Sequence, residues 1–274
     1  ERLSGNLEDP YALRDAIRQS AADVIVNAAA YTAVDQCEYE PHRAHAINAI
    51  APEVMAEEAR SLGALLVHYS TDYVFDGSGH QRWRERDPTA PLNVYGRTKL
   101  AGEEAVRAQG GRHLIFRTAW VYAARRQNFL LTMLRLACER DELKVIDDQH
   151  GTPTEAAFIA DGTAHAIRST LADPDHSGTY HLTAAGETTW HGYATFIIEQ
   201  ARQLGFLVKV DPSAIEPVAS EAFPTAAQRP RNSRLDCTRF EGTFGLHRSH
   251  WQEGVVRVLQ KIAESRGLKP THES

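Results

Sequence analysis

Hydrophobic runs alternate with stretches of helical character along the first 150 residues of this chain. Continuous apolar runs predict buried strands, and they fall at 23–27, 64–68, 113–117 and 143–146. Helix-favouring stretches fall from Pro10 onward, at 41–62, from Asn93 to residue 108 and at 128–140. This alternation predicts an α/β fold, a doubly wound parallel sheet with helices on both faces.

Three residues have the chemistry expected at helix ends. Pro10 follows Asp9 and suits the first turn of a helix, where its missing N–H costs nothing. Asn93 is a candidate N-cap, and Gly63 suits a left-handed C-cap after residues 41–62. These local signals predict where the helix at Pro10 begins, where the helix after Asn93 begins and where the helix at 41–62 ends.

The pattern becomes less regular after Asp147. A turn is predicted at 151–154, and residues 211–231 are rich in proline and alanine without a clear period. The remaining predicted elements are helices at 155–171, 190–204 and 251–263 and a strand at 178–182. We therefore expect one domain over residues 1–150 and a smaller, mixed lobe over residues 151–274.

Polar and small residues collect where the predicted strands end, which is where a doubly wound sheet binds its ligands. They lie at 27–30, 70–72 and 118–120, and the helix after Asn93 adds Tyr95 and Lys99. Small side chains at Ala28–Ala30 suit close approach of a flat cofactor, and equally suit tight packing at a crowded strand end.

Tyr95 and Lys99 are one helical turn apart and therefore share a face of their helix. A nearby lysine cation lowers the pKa of a tyrosine from about 10, which suits proton transfer during carbonyl reduction. A surface tyrosine and a solvated lysine are the simpler interpretation of this spacing alone. The hydroxyl at Thr71, after an apolar strand, favours the catalytic interpretation.

Thr71, Asp72 and Trp120 each allow two interpretations. Thr71 suits hydrogen bonding to a substrate carbonyl and Asp72 suits a sugar hydroxyl, but both residue types also cap local turns. Trp120 suits stacking on a sugar face, and equally suits the core.

Composition excludes several classes of protein. The chain has 274 residues, 42% of them hydrophobic and 24% charged, as in an ordinary globular enzyme. A net charge of −6 favours no nucleic-acid partner, and no apolar stretch approaches the roughly 18 residues of a membrane-spanning helix. The scattered cysteines and histidines predict neither a disulfide framework nor a metal site, and a cytoplasmic location is expected. The cysteines are Cys37, Cys138 and Cys237.

Six stretches together resemble the dTDP-4-dehydrorhamnose reductase family, of the extended short-chain dehydrogenase/reductase superfamily. The resemblance covers nearly the whole chain, and STDYVF is much more specific to this family than Tyr-x-x-x-Lys. The stretches are VNAAA (26–30), YSTDYVFDG (69–77), APLNVYGRTK (90–99), FRTAWVY (116–122), DQHGTPT (148–154) and RPRNSRL (229–235).

This resemblance implies reduction of the C4 keto group of dTDP-4-dehydro-L-rhamnose by NADPH or NADH. It implies that residues 1–150 bind the dinucleotide and that residues 151–274 mainly bind the substrate. In the implied catalytic set Tyr95 donates the proton, Lys99 tunes it and holds the nicotinamide ribose, and Thr71 polarises the carbonyl.

The resemblance also implies binding residues. Asp72 and Trp120 contact the deoxysugar. Arg229 and Asn232 are candidates for the nucleotide part of the substrate, with ordinary loop packing as an equal alternative. The residues implied to line the cofactor are Asn6, Leu7, Ala29, Ala30, Tyr31, Thr32 and Tyr69, with asparagine at position 6 where the family usually has aspartate.

One part of the family pattern is not present in residues 1–274. Family members begin with a strand, a Gly-x-x-Gly-x-x-Gly turn and a second strand, so we expect a Rossmann-type sheet without its N-terminal strands. We also expect a βα unit ahead of Glu1, because it would cover the apolar edge at Val24, Ile25 and Val26.

Two other functions compete with the reductase. One is another extended-family nucleotide-sugar epimerase or reductase, which would share Tyr95 and Lys99. The other is a non-catalytic binding module like the regulatory subunit of methionine adenosyltransferase, against which the retention of Thr71, Tyr95 and Lys99 speaks. The choice between NADH and NADPH, and whether the protein is a homodimer, are left open.

Overall fold

The computed structural model describes residues 5–268, which form ten strands and ten α-helices arranged around one central sheet. The strands are β1 (Val24–Asn27), β2 (Leu65–Thr71), β3 (His113–Thr118), β4 (Val121–Tyr122), β5 (Leu143–Ile146), β6 (His150–Gly151), β7 (Thr154–Glu155), β8 (Gly178–His181), β9 (Thr188–Thr189) and β10 (Ile215–Val218). The helices are α1 (Pro10–Ser20), α2 (Val34–Tyr39), α3 (Pro41–His45), α4 (Ala51–Leu62), α5 (Val94–Ala108), α6 (Phe129–Glu139), α7 (Ala156–Ala172), α8 (Trp190–Gln203), α9 (Thr238–Phe244) and α10 (Trp251–Ser265).

The central sheet is parallel and has the strand order β1-β2-β3-β8. Its faces are covered as the apolar runs predict. Leu66 and Ile115 pack with α1 and α4 on one face, whereas Leu65, Val67 and Phe116 pack with α7 and α9 on the other. This arrangement confirms the α/β class with a parallel sheet.

Two strands differ from the sequence prediction in their pairing. Leu143–Ile146 is a strand, but it pairs in parallel with β10 in a separate two-stranded sheet. Its Lys144 is exposed between buried Leu143 and Val145, so only one face of this strand is covered. The fourth strand of the main sheet is instead β8, which the sequence placed in the second lobe. The division at residue 150 stays a prediction.

A second core lies between α6, α8, α10 and the β5–β10 pair, with Leu134, Ile197 and Leu259 among its buried side chains. It stands beside the sheet and forms one wall of the cleft described below. Within residues 5–268, no helix combines the length and the apolar character needed to cross a membrane.

The predicted helix ends are confirmed at three positions. The side chain of Asp9 accepts from the N–H groups of Tyr11 and Ala12, Asn93 Oδ1 accepts from Gly96 N–H at 2.8 Å, and Gly63 ends α4 with a φ of 68°. The predicted helix at 41–62 is interrupted by a π-helix at Ala46–Ile50, and α2 forms in a segment for which the sequence pattern predicted no helix.

In the described chain, β1 is an edge of the central sheet, since it pairs with β2 alone. Val26 is 46% exposed there, as expected for an uncovered apolar strand.

Candidate active site

Helix α5 lies unusually close to the chain segments around it. A Cβ at Gly96 would lie 2.2 Å from the carbonyl oxygen of Tyr73, and a Cβ at Gly102 would lie 2.2 Å from that of Asn48. Glu38 Oε1 also accepts from the N–H of Val94 at 2.7 Å, at the first turn of the helix. These contacts hold α5 against the carboxyl end of β2 and position Tyr95 and Lys99 there.

The Tyr95 hydroxyl lies near the side chain of Thr71, the last residue of β2. Burial raises the pKa of the Tyr95 hydroxyl above its usual value, and the Thr71 side chain opposes only part of that rise. The lowered pKa predicted for Tyr95 from its spacing to Lys99 is therefore wrong for this structure. The physical reason is that burial outweighs the other influences, among which Lys99 does not figure.

Lys99 is 2% exposed and turns its amine toward β2. Its Nζ donates to the carbonyl oxygen of Tyr69 at 2.7 Å and lies 3.3 Å from Nε2 of His68. Burial lowers the pKa of Lys99 to about 8, against the opposing charge of Glu103. Glu103 is itself held by Arg117 at 2.7 Å and by Ser70 at 2.6 Å.

Asp72 is buried beside the Thr71–Tyr95 pair. Its Oδ1 accepts from Thr71 Oγ1 at 3.0 Å, while its Oδ2 has no hydrogen-bond partner. Burial raises the pKa of Asp72 to about 6; Ser233 lies close enough to oppose that rise, although no hydrogen bond of acceptable geometry joins it to Oδ2. A buried acceptor is thus free to receive a hydroxyl from a ligand.

The segment after β1 is held open beside α5. Ala28, Ala29 and Thr32 are exposed, and Asn48 from the π-helix fixes the backbone between them. Asn48 Oδ1 accepts from Tyr31 N–H at 2.8 Å, and its Nδ2 donates to the Tyr31 carbonyl at 3.1 Å. A π-helical turn at a functional site is a recurrent arrangement.

The other residues implied to line the cofactor differ in which of their polar groups already have a hydrogen-bond partner. The Tyr31 hydroxyl donates to Glu40 at 2.5 Å, and the Tyr69 hydroxyl is paired with Thr163 at 2.8 Å on the far side of the sheet. Tyr69 can therefore contact a cofactor through its backbone but not through its hydroxyl. Asn6 is exposed and caps Glu8 N–H at 3.1 Å, and Leu7 packs against the core of α1 and α4.

A cleft of about 1000 Å³ opens between the sheet and the second core. Tyr73 lines it, and the Tyr73 ring meets the Tyr95 ring edge-on at 5.5 Å, so the cleft begins next to the catalytic candidates. Phe223 and Arg229 lie on its walls. Its size and its mixture of apolar and charged walls suit a sugar nucleotide.

Trp120 reaches this cleft through another tryptophan. Its ring stacks on Trp190 with centroids 3.6 Å apart and an interplanar angle of 11°, and Trp190 lines the cleft. The Trp120 ring also lies close to Gly151, where a Cβ would be 2.5 Å from the ring. A glycine at position 151 therefore leaves room for the Trp120 ring. The indole N–H of Trp190 donates to Gln149 at 3.1 Å, which fixes the stack.

The two candidates from the RPRNSRL stretch differ in their contacts. Arg229 lines the cleft and donates to Asp35 Oδ2 at 2.6 Å, with 21% of its side chain exposed. Asn232 is buried, and its Nδ2 donates to the carbonyls of Gln81 at 2.8 Å and Ser78 at 3.3 Å. These contacts favour loop packing for Asn232.

Sequence reasoning missed the buried polar residues that support the site. His68 contacts Lys99, and Asn48 contacts Tyr31. Trp190 lines the cleft at the position expected of Trp120. A signal for His68 was present, since side chains two apart along a strand share a face and His68 shares one with Ser70. Nothing in the local pattern indicated Asn48, whose partners lie elsewhere in the chain.

A parallel sheet whose strand ends meet a Tyr/Lys helix, next to a cleft of this size, defines a Rossmann-type oxidoreductase. The chain belongs to the family described as the RmlD substrate binding domain, whose model matches residues 1–264. This match and those below confirm the resemblance found in the sequence.

Curated relatives and solved structures agree on the family. The chain is 50% identical over 258 residues to dTDP-4-dehydrorhamnose reductase of Escherichia coli strain K12, covering 94% of this chain and 86% of that protein. It is 46% identical over 265 residues to the enzyme of the same name from Burkholderia thailandensis, covering 95% and 89%. The crystal structure of dTDP-4-dehydrorhamnose reductase from Bacillus anthracis in complex with NADP superposes with a TM-score of 0.86 at 34% identity, covering 93% of this chain and 86% of that one.

Proposed function

We propose that this chain reduces the C4 keto group of dTDP-4-dehydro-L-rhamnose to give dTDP-L-rhamnose, using NADPH or NADH. The observation that carries the proposal is the placement of the Tyr95 hydroxyl near Thr71 at the end of β2, with Lys99 one turn further along α5. Relatives with up to 50% identity bear the name of this reductase, which favours it over an epimerase or a regulatory module.

Tyr95 is proposed as the acid of the reaction. Reduction of a ketone adds a hydride to carbon and a proton to oxygen, and the reduced nicotinamide supplies the hydride when it is bound. A tyrosine with its usual pKa of about 10 is already protonated at neutral pH, and burial, which raises the pKa of Tyr95, keeps the proton on the hydroxyl until the alkoxide forms. Thr71 is proposed to polarise the carbonyl oxygen, for which its hydroxyl proton turns from Asp72 Oδ1 to the substrate.

The residues present fit a nicotinamide dinucleotide. Thr118 Oγ1 is buried at the end of β3 without a partner, and Ala29 and Thr32 are exposed in the segment after β1. We assign the nicotinamide ribose to Lys99. The proposed strip of cofactor contacts consists of Ala29, Ala30, Tyr31, Thr32, the backbone of Tyr69, and Asn6 with Leu7 toward the adenine.

The sugar nucleotide is proposed to occupy the cleft. Asp72 Oδ2 is free to accept a sugar hydroxyl, and Trp120 supports the deoxysugar from the end of β3. Arg229 lies on the cleft wall, where its guanidinium suits a phosphate. Asn232 is proposed to support that wall through its bonds to the loop at 78–81.

The test is an assay with the 4-keto sugar nucleotide in which loss of reduced-nicotinamide absorbance is followed with NADPH and with NADH. We expect one rhamnose product per cofactor oxidised. Isomerised sugar without net cofactor oxidation would point to an epimerase, and binding without turnover would point to a regulatory module; either result rejects the reductase.

A homodimer and a cytoplasmic location remain hypotheses, to be checked by sedimentation and by cell fractionation.

A further inference from the structure

A short segment between β10 and α9 crosses onto the helices that carry the proposed catalytic and cofactor residues. We call residues 227–230 the strap. The six residues before it, 221–226, are all exposed, whereas Ala227 is 1% exposed. Gln228 and Arg229 of the strap line the cleft. The strap is thus the point at which this segment becomes fixed beside the proposed site.

Asp35 holds the strap from α2. Its Oδ1 accepts from the N–H of Ala227 at 3.0 Å, and its Oδ2 accepts from Nη2 of Arg229 at 2.6 Å. Nη1 of Arg229 donates in turn to the Ala227 carbonyl at 3.1 Å. These bonds fix the orientation of the guanidinium and leave its other N–H groups for a phosphate.

Asn93 holds the strap from α5. This residue is 2% exposed, and the two ends of its amide have different partners. Oδ1 caps the helix by accepting from Gly96 N–H at 2.8 Å, while Nδ2 donates to the Gln228 carbonyl at 2.8 Å. A serine caps a helix about as well as an asparagine does, so the cap by itself does not require the Nδ2 donor.

The last residue of the strap packs against the segment after β2. A Cβ at Gly77 would lie 2.5 Å from Cβ of Pro230, and the Gly77 carbonyl accepts from Asn232 N–H at 3.0 Å. Every residue of the strap therefore contacts an element that follows β1 or β2 in the chain, across the cleft from the second core.

Both polar anchors lie on elements to which the cofactor is assigned. Asp35 follows closely after Thr32 of the proposed cofactor strip, and Asn93 begins the helix whose Lys99 is assigned to the nicotinamide ribose. A cofactor that orders these elements also orders the anchors of the strap. The sugar nucleotide then binds to an Arg229 side chain that is already positioned, so conformational freedom is lost once for both ligands.

We propose that Asp35 and Asn93 are positioning residues for Arg229, and that through them the dinucleotide and the sugar nucleotide strengthen each other's binding. The proposal rests on the proposed function for the assignment of the two ligands. Neither anchor is given a part in the proton or hydride transfer.

The test measures the Kd of NADPH by calorimetry, alone and with saturating dTDP, which supplies the nucleotide without a sugar that can be reduced. The ratio of the two values is the coupling factor. Coupled sites typically show a factor of roughly 5–150, and we expect the wild-type protein to fall in that range. By linkage, NADPH must tighten the binding of dTDP by the same factor.

Two variants each remove one anchor and keep its other local bond. Asp35→Asn keeps an oxygen for Ala227 N–H but loses the ion pair with Arg229, and Asn93→Ser keeps the helix cap but loses the donor to Gln228. Each should lower the coupling factor toward one, by roughly three- to tenfold, the value of one hydrogen bond. If Asp35 acts through Arg229, Asp35→Asn should change the factor little further in an Arg229→Ala background.

Matched controls are available away from the strap. Asp211 likewise accepts from a backbone N–H, that of Ser213 at 3.0 Å, and from an arginine, Arg202 at 3.2 Å. Asn128 likewise caps a helix, α6, and donates from Nδ2 to a loop carbonyl, that of Ala123 at 2.8 Å. Asp211→Asn and Asn128→Ser should keep the wild-type coupling factor, because a general loss of stability leaves the ratio of the two Kd values unchanged.

Hydrogen exchange of the wild-type protein gives a second measurement. NADPH alone should slow exchange of the Ala227 N–H, which donates to Asp35. Unchanged exchange there, a wild-type coupling factor of one, or a factor that falls equally in the controls would overturn the proposal. None of these measurements involves turnover, so coupling without NADPH oxidation in the sugar-nucleotide assay would reject the reductase alone, and turnover without coupling would reject this proposal alone.

Discussion

Residues at the end of β2 have acid–base properties that differ from those of the same side chains in water. Burial raises the pKa of Tyr95 and that of Asp72, and it lowers that of Lys99, so burial shifts each group toward its neutral form relative to water. With pKa values of about 6 and about 8, Asp72 and Lys99 titrate on either side of neutral pH. Two predictions belong to this scale.

Tyr95→Phe removes the proposed acid but keeps the ring that packs edge-on against Tyr73. We expect turnover to fall by a factor of roughly 10²–10⁴, the usual contribution of a positioned acid, with little change in melting temperature. Steady-state kinetics across pH, alongside thermal unfolding, is the measurement. Wild-type turnover with an unchanged pH profile would show that another group donates the proton.

Asp72→Asn should change stability in a pH-dependent way. The carboxyl has a pKa of about 6 in the folded protein and about 3.9 when unfolded. Its contribution to the stability of the folded protein is therefore fully present below about pH 4 and is lost as the pH rises through about 6. The amide retains the bond from Thr71 and cannot ionise. We expect the variant to be more stable by at most about 3 kcal/mol at pH 8, with no gain below pH 4.

Denaturant unfolding at these two pH values checks the Asp72 prediction. An equal gain at both would mean that packing rather than charge is responsible. Because Asp72 is also proposed to accept a sugar hydroxyl, the same variant should bind the sugar nucleotide more weakly.

At the scale of elements, α5 depends on two glycines that allow close backbone approach. Gly102 packs against the carbonyl of Asn48 in the π-helix, whose side chain in turn holds Tyr31. The two segments therefore form one rigid unit that joins the proposed cofactor strip to Lys99.

Gly102→Ala should be destabilising, because a Cβ there would lie 2.2 Å from the Asn48 oxygen and backbone must move to relieve it. We expect a loss of roughly 1–3 kcal/mol in unfolding free energy. Gly242→Ala in α9 is the matched control, since no atom lies within 4 Å of a Cβ there, and it should gain up to about 1 kcal/mol from helix propensity. Equal effects at both glycines would contradict the close-approach argument.

Across the whole molecule, the cleft is bounded by segments far apart in sequence. The Asp35–Arg229 pair joins α2 to the segment that precedes α9, and the Trp120–Trp190 stack joins the end of β3 to α8. Both contacts lie where the sugar nucleotide is proposed to bind.

Arg229→Ala should weaken binding of the sugar nucleotide about tenfold or more, the value of a lost charged hydrogen bond. The melting temperature should hardly change, since the Asp35–Arg229 pair is partly exposed and such pairs contribute below about 1 kcal/mol. Arg231→Ala is the control, because Arg231 also lines the cleft but is 61% exposed and paired with Glu221. Calorimetric titration that finds equal losses for both would remove the special role of Arg229.

Trp120→Ala should weaken binding of the sugar nucleotide more than binding of the cofactor, because its ring supports the cleft wall through Trp190. Titration of each ligand separately, with a thermal melt, is the check. A similar loss for both ligands together with a lower melting temperature would favour a core role for the ring.

Local chemistry in the sequence was enough to determine several features. The caps at Asp9, Asn93 and Gly63 depend on residues next to them, so the helix ends were predictable. The shared face of Tyr95 and Lys99 follows from the helical repeat. Apolar runs likewise predicted β1, β2 and β3 of the central sheet, because strands covered by helices are apolar over most of their length.

Contacts between distant residues decided the rest. The pairing of β8 with β3, and of β5 with β10, depends on how the chain returns to the sheet, which no local pattern records. The acid strength of Tyr95 depends on the layers that bury it, and the position of the Lys99 amine depends on the Tyr69 carbonyl and His68 in β2. A pKa is set by the surroundings of a group in three dimensions, so spacing along α5 predicted the position of these side chains but the wrong direction for the pKa of Tyr95.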